Sequence, residues 1–567
     1  MKYKSSIVSI ALFGLSINPL YAATNPYESI ENQRQQERTD QLKQQQEQNP
    51  NVKLQKPSLE SVEIPLNESP CFEIKEIAVS DDSGEFGWAV GELKSYTKDI
   101  LPRCIGKDGV SAIMKKLQNT IISKGYVTTR VSAKPQDLTK GVLELSIVAG
   151  RAKNINMIAD TPYTRIFAFN SLPTKKGDIV NVYDIEQGLE NLKRAPTADA
   201  DINFIPSTDK DSVAGDSDLN ITYKQPMPAR FSVTLDDGGG KSTGKYQGAA
   251  TLSLDNTLGL SDLFYVSLNK DLGGGESGTR GTKGSTIYFS IPYNYWLFSF
   301  DSSTSSYRQT VVGTSNDYVY SGENFTQSLT LSNLFYRDDN KKLKLSLSGW
   351  KKTSNSYVDD NVIELQIRRT VGMDMALNYS QTMKYASLDA TVTNRRGLKK
   401  LNALEAPESS TGEGGSSFPR IIKIDANLNV PFALLNRQWA YNINYKAQKN
   451  QTPLIPNDYF YIGGRYSVRG FDGINTLASE RGYTVANELS VSDIMYGIGA
   501  YTSIDYGEVD GRNTDALVGR SLTGGVVGIR GKYKNLGYDF FIGRPIKRPN
   551  NFDTSSVTSG FTLSFSI

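Results

Sequence analysis

The stretch Gly463-Gly464-Arg465-Tyr466-Ser467-Val468-Arg469-Gly470-Phe471-Asp472-Gly473 concentrates the groups in this chain best suited to specific polar recognition. It holds two arginines, a tyrosine and a phenylalanine among four glycines. A guanidinium is a planar fork of N–H donors, so an arginine at a loop tip is suited to clasping a carboxylate rather than to reacting. The glycines allow positive φ and close packing. That mixture suits a loop folded back into a water-filled barrel better than one on an outer surface. Reaction chemistry has little to draw on elsewhere. The chain contains no histidine, which removes the commonest proton shuttle and metal ligand. The sequence offers no nucleophile–base arrangement, phosphate-binding glycine loop or paired-carboxylate motif. No enzyme, cofactor or metal centre is expected.

The elements that would hold such a loop follow from composition and pattern. A length of 567 residues is enough for three or four domains. Lys plus Arg is 63 against 60 for Asp plus Glu, a net charge of +3. That balance lacks the concentrated basic face of a nucleic-acid binder. The 31 tyrosines and 49 glycines favour strands and turns over helical bundles. Residues 1–22 read as a secretory signal, with Lys2 and Lys4 before an apolar run from Ile7 to Leu15 and Ala22 before Ala23. No later stretch approaches the roughly 20 apolar residues of a spanning helix. An exported chain of this kind crosses a membrane only as a closed barrel. In that compartment the pair Cys71 and Cys104 is expected to form a disulfide, worth at most about 3–4 kcal/mol by loop entropy.

In chain order, residues 23–48 are almost wholly polar yet rich in helix formers, with Asn25-Pro26 a plausible start. A helix polar all round is either unstable alone or solvent-bridging. Two readings follow: a disordered tail, or a helix lying as a plug in a wet channel. Residues 49–70, with Pro50, Pro57, Pro65 and Pro70, form an extended linker. Two small α/β units occupy 71–150 and 151–225. In the first, Val110, Ile113, Met114, Leu117, Ile121 and Ile122 keep helical spacing. Strands are expected at 72–79, 127–131 and 141–148. The second unit repeats the plan, with a helix from Val182 to Arg194 and strands near 155–158, 200–205 and 217–223.

From 226 to 567 the period changes to two. Phe231-Val233-Leu235, Leu343-Leu345-Leu347 and Trp439-Tyr441-Ile443-Tyr445 alternate with polar residues. Apolar-out, polar-in alternation with Gly/Ser/Asp-rich connections marks a transmembrane barrel, and about 340 residues give about sixteen antiparallel strands. A barrel of that size encloses water rather than a packed core.

These features together resemble the outer-membrane transporters of two-partner secretion, within the superfamily of barrel assembly factors. The resemblance rests on Val468-Arg469-Gly470-Phe471, on tandem β-α-β-β units similar to polypeptide-transport-associated (POTRA) domains, on Tyr183 to Leu192, and on a final strand, Gly560 to Ile567, that runs to the last residue. The segments 388–398 and 537–545 look like strand ends of the same family. The resemblance implies that 461–480 is an inward-folded loop whose Arg469 meets Asp505 in a wall element ending at Gly507. Ser503 stands where that element carries an aromatic. It also implies a location in the outer membrane, contact with its lipid, and periplasmic N-terminal units. The implied partner is a large exoprotein with a β-helical N-terminal secretion domain, such as an adhesin, cytolysin or contact-dependent toxin. A barrel assembly and insertion factor is the alternative; a plain porin or an outer-membrane hydrolase would not need the two α/β units.

Overall fold

The computed structural model describes residues 26–57, 59, 61–159, 167–407, 409 and 414–567. The expected signal segment 1–22 and the first residues of the expected plug lie outside them.

Alternating residues become a wall because successive strand side chains point to opposite faces. Among the described residues, sixteen long antiparallel strands, with the two-residue strand Asn361–Val362 beside them, close into one barrel. Closure joins the first strand, Ala229–Asp236, to the last, Thr558–Ser566, from Asp236 opposite Thr562 to Ser232 opposite Ser566. A further backbone pair ties Phe231 to Ile567. Leu331, Leu347, Met373, Met375, Ile504 and Ile542 lie exposed on the outer face. The intervening residues face the lumen, where Ser354, Lys446 and Asp505 meet the elements inside. Because strands run antiparallel, both barrel ends of the chain lie on one side, together with tight turns such as Asn294-Tyr295 and Leu435-Asn436. Asn294, Leu435 and Asn436 adopt positive φ there. The longer connections, 451–480 among them, lie at the opposite end.

The two α/β units sit on the side of the tight turns. In the first, Glu76–Asp81 runs parallel to Val142–Val148, which pairs antiparallel with Arg130–Ser132. The helix Lys107–Ser123 covers that sheet through Ile113, Leu117 and Ile121. The second unit repeats this order with Ala152–Ala159, Ser217–Lys224 and Asp199–Pro206. Its helix Val182–Leu192 places Ile185, Leu189 and Leu192 in the core. Two α-helices go beyond the sequence expectation, the single turn Ala168–Ser171 and the longer Gly87–Thr97, which buries Ala89, Leu93 and Thr97 along one face. The expected strand at 127–131 begins only at Arg130, because the tight turn between Gly125 and Val127 delays the sheet. Cys71 and Cys104 form a disulfide with Cα atoms 5.3 Å apart. It flanks the small sheet in which Cys104 lies opposite Glu73.

The polar N-terminal segment is a helix, Pro26–Gln46, about 32 Å long at 1.5 Å per residue. It lies inside the barrel. Glu28 accepts hydrogen bonds from Ser354 and Ser356 on one part of the wall and from Asn457 of the long connection. Arg38 donates to Gln247 at 3.0 Å on another part. Of the two sequence readings, the folded helix in a wet channel is the one the structure adopts. The segment after it is extended but does not run free, since its backbone is hydrogen-bonded to the second unit.

Candidate functional site in the barrel lumen

The connection 451–480 leaves the strand Arg437–Asn450, pairs with itself through Phe460–Ile462 and Leu477–Ser479, and returns into the strand Arg481–Met495. Between those two short strands, the loop 463–476 is held through three carboxylates, two on the wall and one of its own.

The deepest anchor is Asp505, whose side chain is 1% exposed. Arg469 Nε donates to Asp505 Oδ2 at 2.7 Å, and its Nη2 donates to Oδ1 at 3.1 Å. The Arg469 backbone N–H also donates to Oδ2, at 3.0 Å. Three donors therefore converge on one carboxylate, which explains why arginine suits this place: a lysine point charge lacks the fork. Burial and three neighbouring acceptors hold the fork in one orientation. Arg469 Nη1 reaches Glu488 Oε2 at 2.7 Å, and Nη2 reaches Ser503 Oγ at 2.5 Å. Ser503 also hydrogen-bonds Asp505. Two residues apart on one strand, they share the lumen face, and Glu488 lies directly opposite Ser503 on the neighbouring strand. Ser503, where an aromatic was expected, thus completes the polar site by bonding both Arg469 and Asp505.

The second and third anchors are Asp237 and the loop's own Asp472. Arg465 Nη1 donates to Asp237 Oδ1 at 3.0 Å and its Nη2 to Thr562 Oγ1 at 2.6 Å, with the guanidinium 5.2 Å over the ring of Phe541. Asp472 accepts from the Ser555 hydroxyl at 2.7 Å and the Ser555 backbone N–H at 3.0 Å. Beneath these contacts Val468 and Phe471 enter a small apolar cluster with Ile462, Leu522 and Phe552. Phe471 meets Phe552 edge-on at 5.8 Å between ring centres.

Glycine is required where loop and wall touch. Gly470 has φ +98°, and a Cβ there would lie 2.5 Å from the Arg544 carbonyl oxygen. On the wall, a Cβ on Gly524 would lie 1.9 Å from the Arg469 carbonyl oxygen, and one on Gly507 would lie 2.7 Å from Val468. The structure brings together Val468, Arg469, Gly470, Phe471, Asp505 and Gly507. Sequence reasoning missed Glu488, Ser503, Asp237 and Gly524. A signal existed for Ser503, two residues from Asp505 on an alternating strand; none existed for Asp237, which is more than two hundred residues from Arg465.

The helix Pro26–Gln46 and the loop are joined directly: Arg34 donates to the Gly473 carbonyl at 2.7 Å. At its other end Arg230 binds the Gln46 side chain at 2.7 Å, and Glu47 pairs with Arg194 of the second unit at 2.7 Å. Between helix and wall remains a cavity of about 530 Å³ lined by Glu37, Asp40, Lys352, Arg395, Lys423 and other polar residues. An interior so polar holds its contents through bonds that water can replace.

Comparison with known proteins finds relatives along nearly the whole chain. Residues 215–531 match the family described as haemolysin secretion/activation protein ShlB/FhaC/HecB. Residues 72–150 match the ShlB-type POTRA domain, and 151–206 a second POTRA model. The chain is 32% identical over 551 residues to the outer membrane transporter CdiB-2 of Burkholderia pseudomallei, covering 94% of this chain and 93% of that relative. It is 28% identical over 572 residues to the outer membrane transporter CdiB of Dickeya dadantii, covering 99% and 98%. The solved structure of CdiB from Acinetobacter baumannii superposes with a TM-score of 0.83 at 29% identity, covering 96% of this chain and 98% of that one. The family model over more than half of the chain, the two POTRA matches and a relative 32% identical along nearly its whole length place this chain in the ShlB/FhaC/HecB family of haemolysin secretion/activation proteins, the outer-membrane transporters of two-partner secretion.

Proposed function

We propose that this protein is the outer-membrane pore through which a large exoprotein, carrying a β-helical N-terminal secretion domain, is recognised in the periplasm and passed to the cell surface. In this reading 23–48 is a removable plug and 49–70 its tether. Residues 71–150 and 151–225 receive the unfolded cargo, and 226–567 is the conduit, its outer face against membrane lipid. The observation that carries the reading is the helix Pro26–Gln46, held in the lumen by hydrogen bonds and ion pairs to hydrophilic partners around the wall. Such an element leaves at low cost, because water replaces each bond it gives up. The POTRA sheets have edges to which an extended segment of cargo can add as a strand. With no nucleotide motif in the sequence, folding of the cargo outside the cell supplies the drive. The relatives support the transport reading: they are named as outer-membrane and haemolysin transporters. Deleting residues 24–48 is expected to raise single-channel conductance in planar bilayers; unchanged conductance would remove the plug. Co-expression with a neighbouring large exported protein, assayed at the cell surface, is expected to show secretion that depends on this chain.

A further inference from the structure

The tether after the plug helix occupies a defined groove. Residues 50–56 lie between the helix Val182–Leu192 of the second POTRA unit and the barrel turn 338–340. Val52 N–H donates to Glu190 Oε1 at 2.9 Å, and Leu54 N–H donates to Glu186 Oε1 at 2.8 Å. In an extended chain the N–H groups of residues i and i+2 point the same way and lie about 7 Å apart. Carboxylates at i and i+4 on a helix emerge about 6 Å apart. The two spacings match, so the helix presents a pair of acceptors tuned to extended backbone.

Arg337 sets those acceptors. Its side chain is 3% exposed, and it binds Glu186 at 3.0 Å and Glu190 at 2.8 Å. It also donates to the Val52 carbonyl at 3.0 Å, on the same edge of the strand as the Val52 N–H. The side chains of Val52 and Leu54 pack against the apolar core of the second unit. The contacts to Glu186, Glu190, Arg337 and the core need only backbone or an apolar side chain at alternate positions. Lys56 adds contacts particular to this linker, pairing with Asp339 and donating to the Tyr183 hydroxyl at 2.9 Å.

We propose that this groove is a docking site for an extended segment of the exported chain with apolar residues at positions i and i+2, and that the linker is its intramolecular competitor. The occupant's chemistry is read from the segment now seated there. Binding of cargo displaces residues 50–56 and loosens the adjoining pairs, Glu47 with Arg194 and the Gln48 N–H with the Arg194 carbonyl, which hold the C-terminal end of the plug. Arrival of cargo is thereby coupled to plug release. The site differs from a sheet edge, since its acceptors are helix carboxylates. The inference rests on the transporter reading above.

The test uses the full-length protein in detergent and, as probe, a fluorescent peptide of residues 50–57 (Pro-Asn-Val-Lys-Leu-Gln-Lys-Pro). Wild type, with its own linker in place, is expected to bind it at least about tenfold more weakly than the V52S/L54S double variant. A peptide N-methylated at its Val and Leu amides loses the two donors without touching the protein, and its binding to that variant is expected to fall by about tenfold or more. Added to the periplasmic side of wild-type channels, the unmethylated peptide is expected to raise opening frequency. Equal affinity of the methylated and unmethylated peptides, equal affinity of the two proteins, or openings indifferent to the peptide would each overturn the proposal. A chain that secretes its partner yet fails these binding arms loses this inference alone. One that passes them yet exports nothing loses the transporter reading instead.

Discussion

At the scale of residues, the molecule depends on how carboxylates in the lumen are neutralised. Asp505 is buried, and the donors on it come from Arg469 and Ser503. Removing one member of a shielded pair strands the other, at about 3–5 kcal/mol where water is excluded and less where it enters. Arg469→Ala is therefore expected to free the loop 463–476, read as new cleavage by a protease added outside intact cells. Arg469→Lys keeps the charge but not the fork and falls between. The double variant R469A/D505A is expected to be less susceptible than the sum of the two single changes, since it leaves no orphaned carboxylate. Additive singles would mean that the pair contributes nothing as a pair. Gly524→Ala tests the same contact sterically. Its Cβ meets backbone at 1.9 Å, which no side-chain movement relieves. Loop cleavage resembling that of R469A is the expected result, with the heat-modifiable band of the folded barrel preserved on gels.

At the scale of elements, two devices hold pieces that sequence separates. The helix Lys107–Ser123 has no side-chain cap of its own at Gly106. Glu68, far back in the linker, supplies one, accepting from the N–H groups of Gly106 and Asp108 at 2.8 Å each and of Gly109 at 3.0 Å. Desolvation pushes the Glu68 carboxyl up, but those backbone N–H groups, with Arg103 nearby, more than offset it and hold it below the usual carboxylate range. A depressed folded pKa contributes stability that is complete above the unfolded value, about 4.3, and is lost as pH falls through the folded value. Amide protection factors at Gly106 to Gly109, exchange rates taken relative to the unstructured peptide at the same pH, are expected to be high at neutral pH and to fall on acidification below about pH 4. E68Q should show low protection at both; protection in wild type that does not change with pH would contradict the cap. The second device is the disulfide, which closes a separation of 33 residues. Loop entropy assigns it about 3–4 kcal/mol at most. Trp88 is the one tryptophan of the four that lies outside the barrel. Its fluorescence transition in urea is expected to move to lower concentration in C71S/C104S, with the barrel transition unmoved.

At the scale of the whole molecule, the barrel is closed by the least extensive pairing between its long strands. The seam between the first and last strands runs only from Asp236 opposite Thr562 to Ser232 opposite Ser566, plus the Phe231–Ile567 pair. The neighbouring strands Tyr318–Arg337 and Lys341–Val358 stay paired along nearly their whole length. Deleting residues 564–567 removes most of the seam's register. That truncation is expected to abolish the heat-modifiable folded form in outer membranes, whereas deleting residues 24–48 should leave it intact. Should the truncated chain still migrate as a closed barrel, the seam would not be what completes it. The second POTRA unit grips the barrel's tight turns on the same side, through Arg337 and through Asn191, which donates to the Asn294 carbonyl at 2.7 Å. The helix Pro26–Gln46, the segment after it, the second POTRA unit and the wall therefore share one set of contacts at the periplasmic mouth.

Much of this was legible in the chain alone. Period-two alternation in Leu343-Leu345-Leu347 and Trp439-Tyr441-Ile443 determines a wall with one apolar and one polar face, because side-chain direction along a strand is a local property. The same holds for the helical spacing of Ile113, Leu117 and Ile121. The loop arginine and the aspartate that receives it were also readable, the latter only through resemblance to a family. What local pattern cannot encode is which distant segments share a place. That Ser503 and Glu488 complete the Arg469 site, that Arg465 finds Asp237, that Glu68 caps a helix nearly forty residues on, and that Val52 and Leu54 lie on Glu190 and Glu186 are consequences of strand register and of docking between units. Register is set by the closure of the entire sheet, and docking by surfaces that exist only once both partners have folded. The sequence determined the barrel and two small α/β units, and left the polar N-terminal segment open between a disordered tail and a helix in a wet channel. Only the tertiary structure decided where that helix and its tether are held, because the bonds that hold them are made by residues hundreds of positions apart.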